Sequence, residues 1–152
     1  MPATISRNTV LRSSQSITNH YNSSLGVKEQ PQKVTIAARL LLFAAFALTS
    51  WQAVIRNGLD LPFSNGDKVL HFLAFYFLAV LVDFSFPHRR FGLPKIIMLI
   101  GYGLTIELVQ SFLPYRYADT ADVVADMLGS FAYAGSIPLF LRIPFYRECR
   151  KM

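Results

Sequence analysis

Long apolar runs alternate with short polar connections along most of this chain. A membrane-spanning helix needs about 20 mostly apolar residues. Four runs meet that requirement: Val34 to Val54, Val69 to Phe86, Pro94 to Leu113 and Ala121 to Leu141. Turn signals separate them. Asn57-Gly58 and Asn65-Gly66 bracket the first connection, and Pro87 with Arg89-Arg90 ends the second run. Pro94 opens the third run, where a helix tolerates proline, and Pro114 closes it. Pro138 lies inside the fourth run and is expected to kink or loosen its last turns. The pattern predicts an all-α fold, a four-span transmembrane helical bundle over residues 34–142. Residues 1–33 are rich in Ser, Thr, Asn and Gln and read as a disordered polar tail. Residues 143–152 read as a short basic tail.

Composition sharpens this. Charged residues make up 16% of the 152, against about a quarter in soluble domains. The formal net charge is +6, but the basic residues flank the apolar runs, and no nucleic-acid motif accompanies them. Nucleic acid is therefore not an expected partner, whereas the lipid bilayer is. Five basic residues precede or open the first run (Arg7, Arg12, Lys28, Lys33 and Arg39). Three follow the second run (Arg89, Arg90 and Lys95) and four follow the last (Arg142, Arg147, Arg150 and Lys151). The other side of a four-span protein carries Arg56, Lys68 and Arg116. The positive-inside rule then places both termini in the cytoplasm. Cys149 is the only cysteine, so an internal disulfide and a cysteine-based zinc site are excluded.

Polar residues interrupt the apolar runs, and that topology gathers them at one membrane face. Asp67 and His71 open the second run, Glu107 and Gln110 lie near the end of the third, Arg116 and Asp119 occupy the next connection, and Asp122 and Asp126 begin the fourth. An ionised carboxylate at mid-bilayer costs roughly 3 kcal/mol, so such residues pair, face a wet cavity or do chemistry. Helical spacing aligns them. Asp67 and His71 are four apart, Glu107 and Gln110 three apart, and Asp119, Asp122 and Asp126 form one stripe that Gly129 and Tyr133 continue. Gly129, Gly101 and Gly103 would allow close helix approach.

Plain structural roles compete for most of these positions. Asp67 could serve a helix start, and Asp119 or Thr120 could cap the fourth helix. Arg116 could neutralise one of the acids, and Gln110 could bond a neighbouring helix. Asp83 is expected to meet Arg89, Arg90 or solvent. Glu107, inside Leu104-Thr105-Ile106-Glu107-Leu108-Val109, has no capping role available.

Asp67-Lys68-x-x-His71-Phe72, followed by an apolar span, resembles the opening motif of the VanZ-like membrane proteins. Glu107-x-x-Gln110-x-Phe112-x-Pro114-x-Arg116 with Asp119-x-x-Asp122-x-x-Ala125-Asp126-x-x-Gly129 resembles the longer second motif. Asp126 departs from the pattern, which has Asn there. The resemblance implies a bacterial multi-pass protein of the inner (plasma) membrane, in a family named for an accessory protein of glycopeptide resistance. It implies no reaction.

Two functions follow from the residues. An outer pocket formed by Asp67, His71, Glu107, Gln110, Arg116, Asp119, Asp122 and Asp126 could bind a polar lipid, a cell-wall precursor or a glycopeptide, with Arg116 as an anion anchor. Alternatively, His71, Glu107 and Asp122 could act as catalytic groups of a membrane-embedded hydrolase or transferase working on an envelope lipid. The spacing matches no defined metal signature, so no metal and no cofactor are expected. A homo-oligomer would make a transport role easier to accommodate than four spans alone.

Overall fold

The structure, a computed structural model, describes residues 30–56, 62, 65–116 and 118–149. Residues 1–29 of the expected 1–33 tail lie outside the described residues, and its last four residues already belong to the first helix. Among those described there is helix and no strand: α1 Gln30–Val54, α2 Gly66–Ser85, α3 Leu93–Ser111, α4 Thr120–Phe140 and a short α5 Pro144–Cys149. Four of them are long and apolar enough to cross a membrane: Gln32–Val54, Gly66–Ser85, Leu93–Ser111 and Thr120–Phe140. The chain is thus an all-α, four-span membrane protein.

Helix is what a bilayer demands here, since a spanning segment has to satisfy its backbone hydrogen bonds internally. The ends follow local chemistry. Asn65 precedes α2 with φ 65, a left-handed conformation that Asn tolerates. Pro94 lies in the first turn of α3. Asp119 caps α4, its side chain accepting from the Ala121 N–H at 2.9 Å. Pro138 leaves the Ala134 carbonyl without its helical donor, and α4 ends two residues later at Phe140.

The bundle is apolar outside and polar within. Phe43, Phe77, Ile97, Leu104 and Leu128 are exposed, while Asp83, Lys95, Glu107, Gln110, Asp122 and Asp126 are buried. That inversion of the soluble pattern suits a lipid solvent. Phe75, Leu78, Val82, Leu99 and Tyr133 form the tightest part of the core. The most extensive packing is α2 on α4, followed by α3 on α4. Gly129 permits the first of these contacts, because a Cβ there would strike the Phe72 carbonyl oxygen on α2. Gly103 similarly leaves room for the Asp126 carboxylate and the Phe75 ring. Gly101 has open space around it, so only two of the three candidate glycines mark close approaches.

α1 is fastened mostly by polar side chains. The Tyr102 hydroxyl lies 2.6 Å from Thr49 Oγ1 and 2.8 Å from Ser50 Oγ, and donates to the Phe46 carbonyl. Gln110 Nε2 donates to the Ala53 carbonyl, and the Tyr115 hydroxyl to the Val54 carbonyl at 2.9 Å. Arg39 Nε donates to the Ser85 carbonyl near the opposite end.

Candidate functional site

Three helices bring the sequence-predicted acids together. From α2, the Lys68 ammonium lies 2.8 Å from Asp119 Oδ2, 3.4 Å from Asp122 Oδ1 and 3.3 Å from Asp67 Oδ2. One turn further, His71 Nδ1 lies 2.9 Å from Asp126 Oδ1, and its Nε2 lies 4.0 Å from Asp122 Oδ2. From α3, Glu107 Oε2 accepts the Asp119 backbone N–H at 2.9 Å. Asp119 is outside the spans, and the Lys68 ammonium donating to it holds its carboxyl below the usual carboxylate range. The local reason for this convergence is helical phase. Asp122 and Asp126 are on one face of α4, opposite the α2 face that carries Lys68 and His71, and Gly129 lets those faces meet closely.

Glu107, Asp122 and Asp126 are buried, and His71 is half-buried. Glu107 Oε1 and Asp126 Oδ2 are buried oxygens with no hydrogen-bond partner among the described residues. The Asp126 carboxylate orients the His71 ring, with Nδ1 toward Asp126 and Nε2 toward Asp122. A histidine oriented this way can accept a proton or ligate a cation.

Beside the cluster, between α1 and the other helices, runs a cleft of about 320 Å³. Leu48, Leu70, Ala74, Phe75 and Ile106 supply apolar walls, while Asp67, His71, Gln110 and Arg116 supply polar ones. His71 belongs to both the cleft and the acid cluster.

Two sequence expectations change. Arg116 does not neutralise an acid among the described residues, and part of its guanidinium is held by α1. Its Nη2 donates to the Gln52 and Ile55 carbonyls, both at 2.9 Å, and it makes no ion pair among the described residues. The last carbonyls of α1 have no helical donors and carry the negative end of the helix dipole, which draws the guanidinium. Arg116→Ala should therefore cost about 2 kcal/mol, the scale of charge-assisted hydrogen bonds. Thermal unfolding in detergent measures this. An added Asp119→Asn change should give no rescue, whereas recovery would restore the counter-ion role.

Asp83 is paired with Lys95, which spacing alone does not single out. It is buried, with Lys95 Nζ 2.9 Å from Oδ1 and the Tyr133 and Tyr146 hydroxyls donating to Oδ2 at 2.8 and 3.2 Å. Lys95, in the first turn of α3, can reach inward, whereas the Arg pair is in the exposed connection. Sequence reasoning also left Lys68 out of the candidate site. Its place in the Asp67-Lys68-x-x-His71 motif was the available signal.

The VanZ/LLP1 family pattern matches residues 4–141, which include every residue of the acid cluster. The chain belongs to this family. An uncharacterized protein of the fission yeast Schizosaccharomyces pombe is 38% identical over 91 residues, covering 58% of this chain and 53% of that protein. The chain thus spans about half the length of this relative. No solved structure matches the chain. With a yeast relative, VanZ/LLP1 membership carries the family and a multi-pass membrane protein, but not a bacterial source.

Proposed function

We propose that this VanZ-family protein binds a membrane lipid, its apolar part in the cleft and its polar head at His71, Gln110 and the adjoining acid cluster. The observation that carries the reading is the cleft itself, whose apolar walls end at polar side chains, Gln110 buried and His71 half-buried. Its volume is within the range of small-molecule sites. The distribution of basic residues supports a non-cytoplasmic position for this end of the bundle. The yeast relative favours a ligand that every membrane supplies over a cell-wall precursor or a glycopeptide.

Native mass spectrometry of protein extracted in mild detergent tests this. A co-purified lipid is expected on the wild type. Ala74→Phe, which fills the cleft wall, should remove it while the protein stays folded. A wild type that carries no lipid and takes up none from added bilayer extract sinks the reading.

One observation favours a second reading, a hydrolase or transferase acting on such a lipid. His71 is oriented by Asp126 and faces Asp122, with Glu107 close by, an arrangement suited to proton transfer. Glu107→Gln separates the two: lost turnover with lipid still bound marks the enzyme, and parallel loss marks the binding protein.

A further inference from the structure

The acid cluster sets five carboxyl groups against one lysine and one histidine. Asp67, Asp119 and Asp122 surround Lys68, Glu107 bonds the Asp119 N–H and Asp126 meets His71, while Arg116 Nη2 is turned to the end of α1. Glu107, Asp122 and Asp126 are the buried ones. His71, Glu107 and Asp122 each offer one donor atom, and the three atoms lie within 4.8 Å of one another. Glu107 is 8% exposed, and its Oε1 has no hydrogen-bond partner among the described residues.

We propose that His71, Glu107 and Asp122 bind one divalent cation of the zinc or manganese type. The distances fit an ion better than a hydrogen-bond network. His71 Nε2 and Asp122 Oδ2 are 4.0 Å apart, too far for a hydrogen bond. Ligands about 2.1 Å from a tetrahedral ion stand roughly 3.4 Å apart, so the three groups need to draw in by roughly 1.4 Å at most. Long side chains make such a movement by small torsional changes.

The surroundings fit as well. A metal-bound histidine commonly donates its other ring N–H to a carboxylate, which fixes the tautomer and raises ligand basicity. Asp126 stands in that position, 2.9 Å from Nδ1. The Asp119 N–H bonds Glu107 Oε2, and Lys68 bonds Asp122 Oδ1. These contacts hold two of the ligands while leaving each another oxygen. One imidazole with two carboxylates suits zinc or manganese better than the all-oxygen preference of calcium. Three protein ligands leave a coordination position for water or a ligand. A carboxylate at Asp126 is also a stronger acceptor for the His71 N–H than a neutral amide would be. The ion site stands independently of the lipid reading, because its ligands are protein atoms alone.

The test uses the full chain in mild detergent, stripped with a chelator and titrated calorimetrically with Zn²⁺ and separately with Mn²⁺, without added lipid. One ion per chain is expected. Asp126→Asn should weaken binding by roughly 10- to 100-fold without changing the stoichiometry. Glu107→Gln should weaken it at least as much, whereas Asp67→Asn, at the exposed rim, should leave it within a few-fold. X-ray absorption of the zinc-loaded wild type should show an imidazole nitrogen among the ligands. Folded wild type that takes up neither ion at millimolar concentration overturns the proposal. So does equal weakening by Asp67→Asn and Glu107→Gln, which would mean diffuse charge screening, and so does a bound zinc without imidazole.

Discussion

Replacing Lys95 by methionine should destabilise the protein by about 3–5 kcal/mol, the cost of removing one member of a buried ion pair. Lys95 is 8% exposed and Asp83 3%. The ammonium donates to Asp83 Oδ1 at 2.9 Å, the Phe86 carbonyl at 3.0 Å and the Arg89 carbonyl at 2.7 Å. It thus ties the end of α2 and the following turn to the start of α3. This position is electrostatically awkward for a cation, because the first turn of a helix carries the positive end of its dipole. The three acceptors overcome that bias. Methionine would fill most of the volume but remove the ammonium, while the Tyr133 and Tyr146 hydroxyls still donate to the carboxylate. Unfolding followed by circular dichroism in detergent gives the loss. Adding Asp83→Asn should return part of it, since the amide carries no charge to strand. A neutral Lys95→Met variant would show that the pair contributes no stability.

Gly129→Ala should cost about 3 kcal/mol, at the upper end of ordinary overpacking. The new Cβ would collide with the Phe72 carbonyl oxygen and crowd the Tyr76 nitrogen at 3.0 Å. Both are backbone atoms of α2, so no rotamer change relieves the clash, and the two helices must separate. Separation would also pull Asp122 and Asp126 away from Lys68 and His71, so metal affinity should fall with stability. Gly101→Ala is the matched control. Nothing lies within 4 Å of a Cβ there, and alanine favours a helix by roughly 1 kcal/mol over glycine. Equal unfolding temperatures for the two alanine variants would refute the close-approach argument.

Much of this architecture is legible in the sequence. The four spans fall within three residues of the expected bounds, because the length of an apolar run and its flanking turn residues leave little freedom. Asp119 takes its capping place and Gly129 its contact, since both depend on local position or residue size. The choice of partners for long polar side chains is not local. Asp83 could reach several basic residues by spacing alone, and only the fold decides that Lys95 turns inward while Arg89 and Arg90 stay in the exposed connection. Arg116 follows the same logic. Acids dominate its sequence neighbourhood, yet α1 ends beside it in space, and the unsatisfied carbonyls of that end claim the guanidinium. The association of His71, Glu107 and Asp122 needed three helices in register, which spacing within each helix suggests but does not establish.

α1 stands apart from the other spans, with only 11% of its most apolar stretch buried. Its attachments at the cleft are hydrogen bonds from Tyr102, Gln110, Tyr115 and Arg116. Moving such a wall would exchange a few polar contacts and the apolar contact of Leu42, Phe46 and Ala53 with the core, while α2, α3 and α4 would stay packed. If the ligand is a membrane lipid, the door would then be lateral. The molecule would arrive within the plane of the bilayer without entering water. Occupancy of the cleft would follow the ligand's mole fraction among the surrounding lipids, not its concentration in the aqueous phase. Membrane composition, more than supply in solution, would set how full the protein is.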